Sequence, residues 1–304
     1  MKLSVLSFAG LIVAGGLIAA PDDLDDSFQA LKDAEAKKDA AQVKKLAAET
    51  IELVRKEIKE AAPESAADRE KWKKRVGYLE EIQAHAEYAV FSTALQAPPE
   101  TTVDILAALE EMSPKSKYLD QAYGAYFQAL TKTGAAAKIP AVAEKALTSL
   151  PANEDCLVFL AGNAFDKQQL DRALGFADRL VAAVGKRGKP EGLAAADWDR
   201  RRAQLLSTGY WIAGMVHAQR QQFYDANRDL RAALPFLGGA DQRKAATLFQ
   251  LGVANYQLGK IKLSKAQVLE AVKFSDQAAA IPGPLAQEAW HNAQVMRTEA
   301  GKMR

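Results

Sequence analysis

The feature that most constrains this chain is a long series of short helical patterns with very little between them. Apolar residues recur at three- and four-residue steps in one segment after another, as in "AVAEKALTSLP", "LDRALGFADRLVAAVGK" and "LSKAQVLEAVKFSDQAAA". Most segments are separated by a few polar, Gly or Pro residues. A helix of about ten to twenty residues with a single apolar stripe is marginal by itself. Short connections make sequence neighbours antiparallel neighbours, so the stripes have to be buried hairpin against hairpin. Ala, Leu, Lys and Glu are abundant, and no segment alternates β-branched and polar residues, so no strand is expected. The reading is all-α, an antiparallel helix-hairpin solenoid of about thirteen helices. Hydrophobic residues at 49% and charged residues at 26% exclude a wholly disordered chain.

Three regions follow from the pattern. Residues 1–20, within "MKLSVLSFAGLIVAGGLIAAPDD", join one lysine to an uncharged apolar run, with four aspartates just beyond it. That is the layout of a secretory signal peptide; a retained N-terminal anchor is the alternative. Either predicts an exported protein, periplasmic or secreted, or anchored by the uncleaved segment. Residues 21–112 form an N-terminal helical region. A hairpin breaks near "KKDAAQ", and its second helix carries Val43, Leu46, Ala47, Thr50, Ile51, Val54 and Ile58 on one stripe. A long helix follows an N-cap at Ser65 or Asp68, with Trp72, Val76, Leu79, Ile82, Ala86, Ala89 and Val90 on its stripe. Residues 113–304 hold shorter hairpins and a terminal capping helix from about Leu285 to Met303.

In the third region four first helices carry an interior glycine: Gly124, Gly162, Gly214 and Gly252. Such a glycine costs about 1 kcal/mol against alanine, a cost that close approach of a partner helix would offset. Around Gly214 the chain has Tyr210, Ala213 and His217, then Ala226, Leu230 and Ala233 in the second helix. The Gly162 unit has Ala161, Phe165, Ala173, Ala177 and Leu180; the Gly124 unit has Ala143, Ala146 and Pro151. The Gly252 unit has Leu248 and Leu251, but Asn255 stands where an aromatic is usual, and its second helix reads from Ala266. This order resembles the tetratricopeptide repeat over roughly residues 117–277. The resemblance implies a right-handed superhelix, with Gly124, Gly162, Gly214, Gly252, Ala226, Ala233 and Ala266 at the packing positions. Gly259, by contrast, reads as a C-cap glycine ending its helix.

The resemblance also implies a concave groove lined by first helices that binds extended peptides or partner helices. The matching positions are Phe159, Asn163, Asp166 and Lys167, then Trp211, Met215 and Gln219, then Phe249, Val253, Tyr256 and Gln257. They carry aromatics and amides where some family members place a basic carboxylate clamp. Aromatic anchors suit an apolar groove, and packing between successive hairpins would use the same residues.

Catalytic signals are missing from the sequence. His85, His217 and His291 form no metal-ligand spacing, and there is no nucleophile elbow, phosphate loop or dinucleotide fingerprint. The single cysteine, Cys156, allows no internal disulfide and reads as a small buried hydrophobe. Charge is uneven: residues 21–120 carry a net −7 and residues 121–304 a net +8. The basic residues Lys186, Arg187, Lys189, Arg200, Arg201 and Arg202 cluster in "GKRGKPEG" and "DRRRAQ". The expectation is a non-enzymatic scaffold without cofactor or metal, holding another protein or peptide of the cell envelope in its groove. Nucleic acid is not expected, and membrane contact only if the N-terminal segment is retained. The alternative is a cell-wall or anionic-polymer binding protein or enzyme that uses the basic cluster.

Overall fold

The computed structural model describes residues 22–59, 63, 65–190, 192–238 and 242–303. The apolar run within residues 1–20 lies outside them. Among the described residues the fold is all-α, with thirteen α-helices and no strand, and no helix is long and apolar enough to cross a membrane. The chain divides into two compact units, the first ending at Ser113 and the second starting at Pro114.

The first unit contains α1 (Asp22–Ala36), α2 (Ala40–Ile58), α3 (Ala66–Gln96) and α4 (Pro99–Met112). Ser65 caps α3, accepting the Asp68 N–H at 3.1 Å. Val43, Ala47, Thr50, Ile51 and Val54 on α2 are buried against Leu79, Ile82, Ala86 and Val90 of α3, and Leu46, Ile58, Trp72 and Val76 are half-buried. The Thr102 hydroxyl donates to the Ala94 carbonyl at 2.9 Å and ties the start of α4 to the end of α3. The Arg55 guanidinium donates to the Met112 carbonyl at 2.5 Å, satisfying a C-terminal acceptor of α4.

The second unit contains α5 (Lys117–Lys132), α6 (Ile139–Ser149), α7 (Glu154–Asp166), α8 (Leu170–Lys186), α9 (Ala195–Gln219), α10 (Phe223–Ala233), α11 (Gln242–Ile261), α12 (Lys265–Ala279) and α13 (Ala286–Lys302). From α6 onward each helix packs on its sequence neighbour, and the first helices of successive hairpins also touch, α5 on α7, α7 on α9, α9 on α11 and α11 on α13.

What repeats in this fold is a turn. Five hairpins close through one left-handed residue: Lys38 (φ 55°), Gly134 (74°), Gln168 (57°), Gln221 (58°) and Leu263 (53°). In each, the next N–H reaches back five residues to a carbonyl: Asp39 to Ala34 at 3.1 Å, Ala135 to Leu130 at 2.7 Å, Gln169 to Ala164 at 2.8 Å, Gln222 to His217 at 2.9 Å and Ser264 to Gly259 at 2.8 Å. This is the Schellman closure, which satisfies the orphan carbonyls of the first helix. Each turn fixes the phase of the helix after it. The residues five, nine and twelve positions beyond the left-handed one are buried every time: Val43, Ala47 and Thr50; Ile139, Ala143 and Ala146; Ala173, Ala177 and Leu180; Ala226, Leu230 and Ala233; Val268, Val272 and Ser275.

Counted from the turn, the four glycines do not share a position, and the structure corrects three of the sequence expectations for small residues. A Cβ on Gly162 would meet nothing within 4 Å, so no helix approaches closely there; Ala161, one residue earlier, is the buried neighbour. Ala266 is exposed, and Val268 takes the packing position on α12. Gly259 is not a cap: α11 runs on to Ile261, Leu263 makes the turn, and a Cβ on Gly259 would fall 2.7 Å from Val268 Cγ2. Gly214 and Gly252 do lie against their second helices, at Leu230 and Ser275, and a Cβ on Gly124 would meet only the Asp155 carboxylate, at 3.3 Å. Gly209, not singled out in the sequence, packs against Val181 of α8, 2.8 Å from where its Cβ would lie.

Candidate functional site

The residues assigned to the groove sit on the layer of first helices, and most of the large ones are used within the fold. Phe159 on α7 packs on Phe127 of α5, ring centroids 5.4 Å apart. Trp211 on α9 meets Phe165 of α7 edge-on at 5.4 Å, and the Arg243 guanidinium of α11 lies 5.3 Å from its ring centroid. Trp211, Met215 and Phe249 pack against one cluster that includes Leu230, Leu248, Leu251 and Phe274. The Tyr256 hydroxyl donates to Glu299 Oε2 of α13 at 2.5 Å, so the terminal helix covers it. The aromatic series is therefore mortar between hairpins. Asp166, Lys167 and Gln219 are exposed, and Asn163, Val253 and Gln257 are half-buried.

Four of the six basic residues are engaged within the fold. Arg187, at the C-cap of α8, bridges two carboxylates: Nη2 to Asp120 Oδ2 at 2.8 Å and Nη1 to Glu154 Oε2 at 2.7 Å. Arg201 pairs with Asp155 at 2.9 Å and Arg200 with Asp197 at 3.5 Å. The Lys189 ammonium donates to the Leu193 carbonyl at 2.8 Å and closes its own loop. Lys186 and Arg202 are exposed. An anionic polymer would have to compete with these carboxylates for Arg187, Arg200 and Arg201.

The same contacts build a partly enclosed polar recess in the second unit. Asn153 caps α7: its Oδ1 accepts the Cys156 N–H at 2.9 Å, and its Nδ2 donates to the Asp120 carbonyl at 2.7 Å and to Asp120 Oδ1 at 2.8 Å. Asp120 lies in the first turn of α5 and Glu154 in the first turn of α7, where the helix dipole favours negative charge. The α8–α9 connection folds over these ends and leaves a cavity of about 390 Å³, lined by Gln121, Glu154, Arg187, Leu193, Trp198 and Arg201 among others. Glu154 is buried, with Oε2 on Arg187, while its Oε1 has no hydrogen-bond partner among the described residues. Burial pushes the Glu154 carboxyl above its ordinary 4.5, against the pull of Arg187. Burial works to lower the Arg187 pKa, but Glu154 and Asp120 outweigh it and the net shift is upward. The arrangement is an electrostatic clamp joining α5, α7, α8 and α9 across the α8–α9 connection. The signal that would have disclosed it is the acidic cap "NED" (Asn153–Asp155) within one hairpin of the basic stretch.

Of the histidines, His85 Nε2 lies 2.7 Å from Glu35 Oε2, with its ring edge-on to Phe28. His217 Nδ1 lies 2.6 Å from Gln222 Oε1, and its Nε2 is 3.6 Å from Asp229 Oδ2. His291 is exposed. Cys156 is fully buried. Among the described residues no group of three or more His, Cys, Asp and Glu side chains is arranged to hold a metal. Comparison of the chain with protein-family models, with curated proteins and with solved structures finds no match.

Proposed function

We propose that this chain is an exported, non-enzymatic scaffold of the tetratricopeptide-like kind, which presents a stack of helical hairpins to another protein or peptide of the cell envelope. The observation that carries the reading is the recurrence of one hairpin closure five times, each followed by the same three buried positions. A fold made of one repeated unit multiplies surface of the same kind, and such surfaces serve extended recognition. The first helices touch one another in series, and this reading assigns the partner to the strip of side chains that face outward from them.

Partner contact on this strip falls to the side chains that packing leaves outside, Asp166, Lys167 and Gln219, with Asn163 and Gln257 between them. The test is site-specific photocrosslinking in the cell of origin, with the crosslinker placed at Asp166, at Gln219 and, on a second helix, at the exposed Arg179. A discrete protein adduct from Asp166 and Gln219 but not from Arg179 is expected. Adducts from Arg179 alone, or none from any position, would sink the reading.

A further inference from the structure

The α11–α12 turn departs from the other four in a way the fold does not require. At the left-handed position the other hairpins carry Lys38, Gly134, Gln168 and Gln221; this one carries Leu263. A non-glycine residue is disfavoured there, most of all one whose side chain cannot bond to the local backbone. Leu263 gains nothing from burial, being 83% exposed, and Ile261 two residues earlier is 73% exposed. The stretch reads Lys260-Ile261-Lys262-Leu263-Ser264-Lys265, with aliphatic and cationic side chains in alternation. The end of α13 lies beside it, since the Lys265 ammonium donates to the Met303 carbonyl at 3.0 Å. Counting residues 260–265 with 299–303, four lysines stand against the single Glu299, a net +3. Tyr224, 67% exposed on the neighbouring turn, lines the same shallow recess as Lys262.

From these features we infer that the α11–α12 turn is a docking tip for an anionic lipid bilayer. Two aliphatic side chains on an exposed turn can enter the acyl boundary. Long lysine stems let their ammonium groups stay among the headgroups, and an exposed tyrosine is suited to the same depth. The cations at the tip are lysines, which act as point charges toward a fluid anionic surface; bidentate recognition of fixed carboxylates would favour arginine. This site uses none of the exposed strip residues Asp166, Lys167 and Gln219 and does not depend on the apolar N-terminal run.

The test uses the full chain carrying Leu263→Cys labelled with the environment-sensitive fluorophore NBD, and a control labelled at Ala196→Cys, an exposed residue at the start of α9. Cys156 is buried and escapes the label in the folded protein. Vesicles of phosphatidylcholine with about one quarter phosphatidylglycerol should shift the position-263 probe to the blue and leave the position-196 probe unchanged. The shift should fall at least tenfold in vesicle affinity when Lys262 and Lys265 are changed to Gln, and should weaken with salt. In sedimentation with the same vesicles, Ile261→Ser/Leu263→Ser should bind more weakly than the parent. An equal shift on pure phosphatidylcholine, no shift on either vesicle, or a protein adduct at position 263 in cells without any vesicle response would overturn the proposal.

Discussion

Gly214 of α9 sits so close to Leu230 of α10 that a Cβ on it would fall 2.6 Å from Leu230 Cγ and 3.0 Å from the Leu230 backbone nitrogen. Backbone cannot yield as a flexible side chain does. Gly214→Ala is therefore expected to destabilise the fold by about 1–3 kcal/mol, the usual cost of overpacking. Gly259→Ala belongs to the same class, with Val268 in the way. Gly162→Ala and Gly77→Ala meet nothing within 4 Å and should stabilise by about 0.8–1 kcal/mol through helix propensity alone. Urea unfolding followed by far-UV circular dichroism separates the two groups; a destabilising Gly162→Ala would refute the assignment.

The left-handed turn residues give a second expectation. Gln168 and Gln221 hold φ values of 57° and 58°, a conformation glycine adopts without steric cost. Gln168→Gly and Gln221→Gly should each raise stability by up to about 1 kcal/mol, the relief of strain exceeding the entropy that glycine adds to the unfolded chain. Gly134→Ala, at φ 74°, should lower it by a similar amount. Melting temperatures of the three single variants decide the matter, and a uniform loss across all three would contradict it.

Helices were legible in the sequence because a stripe such as Leu79, Ile82, Ala86 and Val90 is set by local periodicity. Gly214 and Gly252 make the close approach their sequence context predicts, while Gly162 and Gly259 depart from it for a physical reason. A glycine in a helix says that something could come close, but not that anything does, and only the turn register places Gly259 against Val268 while leaving Gly162 open. Lys38, Gln168, Gln221 and Leu263 give no composition signal for a left-handed residue, so the repeated turn was invisible. The pairing of Arg187 lies beyond periodicity for a similar reason: its partners are 67 and 33 residues earlier in the chain.

Arg187 should behave as the keystone of the α8–α9 connection. Replacing it with Met leaves Glu154 buried beside Asp120 without a cation. The expected loss is about 3 kcal/mol, in the range for breaking a buried pair from one side. Adding Glu154→Gln to Arg187→Met should recover part of that loss, because the uncompensated charge is gone. A double-mutant cycle in urea measures this; strictly additive losses would show that the two groups do not act together.

The raised carboxyl of Glu154 fixes the sign of its pH dependence. A group whose folded pKa lies above its unfolded value binds more protons in the fold, so unfolding releases them and stability falls as pH rises. Glu154 therefore contributes most at low pH, and the contribution is lost as pH climbs above 4.5 through its folded pKa. Relative to Glu154→Gln, the parent protein should lose stability across that interval and then run parallel to the variant. A difference that grows in the parent's favour with rising pH would reverse the assignment.

Trp211 bears on how any partner contact is tested. Its ring meets Phe165 and Arg243, and its indole N–H is buried without an acceptor among the described residues. Trp211→Ala should cost about 3–5 kcal/mol in stability, as large-to-small changes between packed helices do. Trp211→Phe should cost much less, since it keeps most of the ring contact and removes the unpaired donor. Loss of a partner in Trp211→Ala protein would then report a damaged stack. Gln219→Arg, on an exposed position of the same helix, should leave the melting temperature within about 2 °C, because surface changes stay near ±0.5 kcal/mol. If Gln219→Arg abolishes crosslinking while Trp211→Phe preserves it, recognition lies on the polar strip. If Trp211→Phe alone abolishes it at unchanged stability, the indole itself is part of the contact.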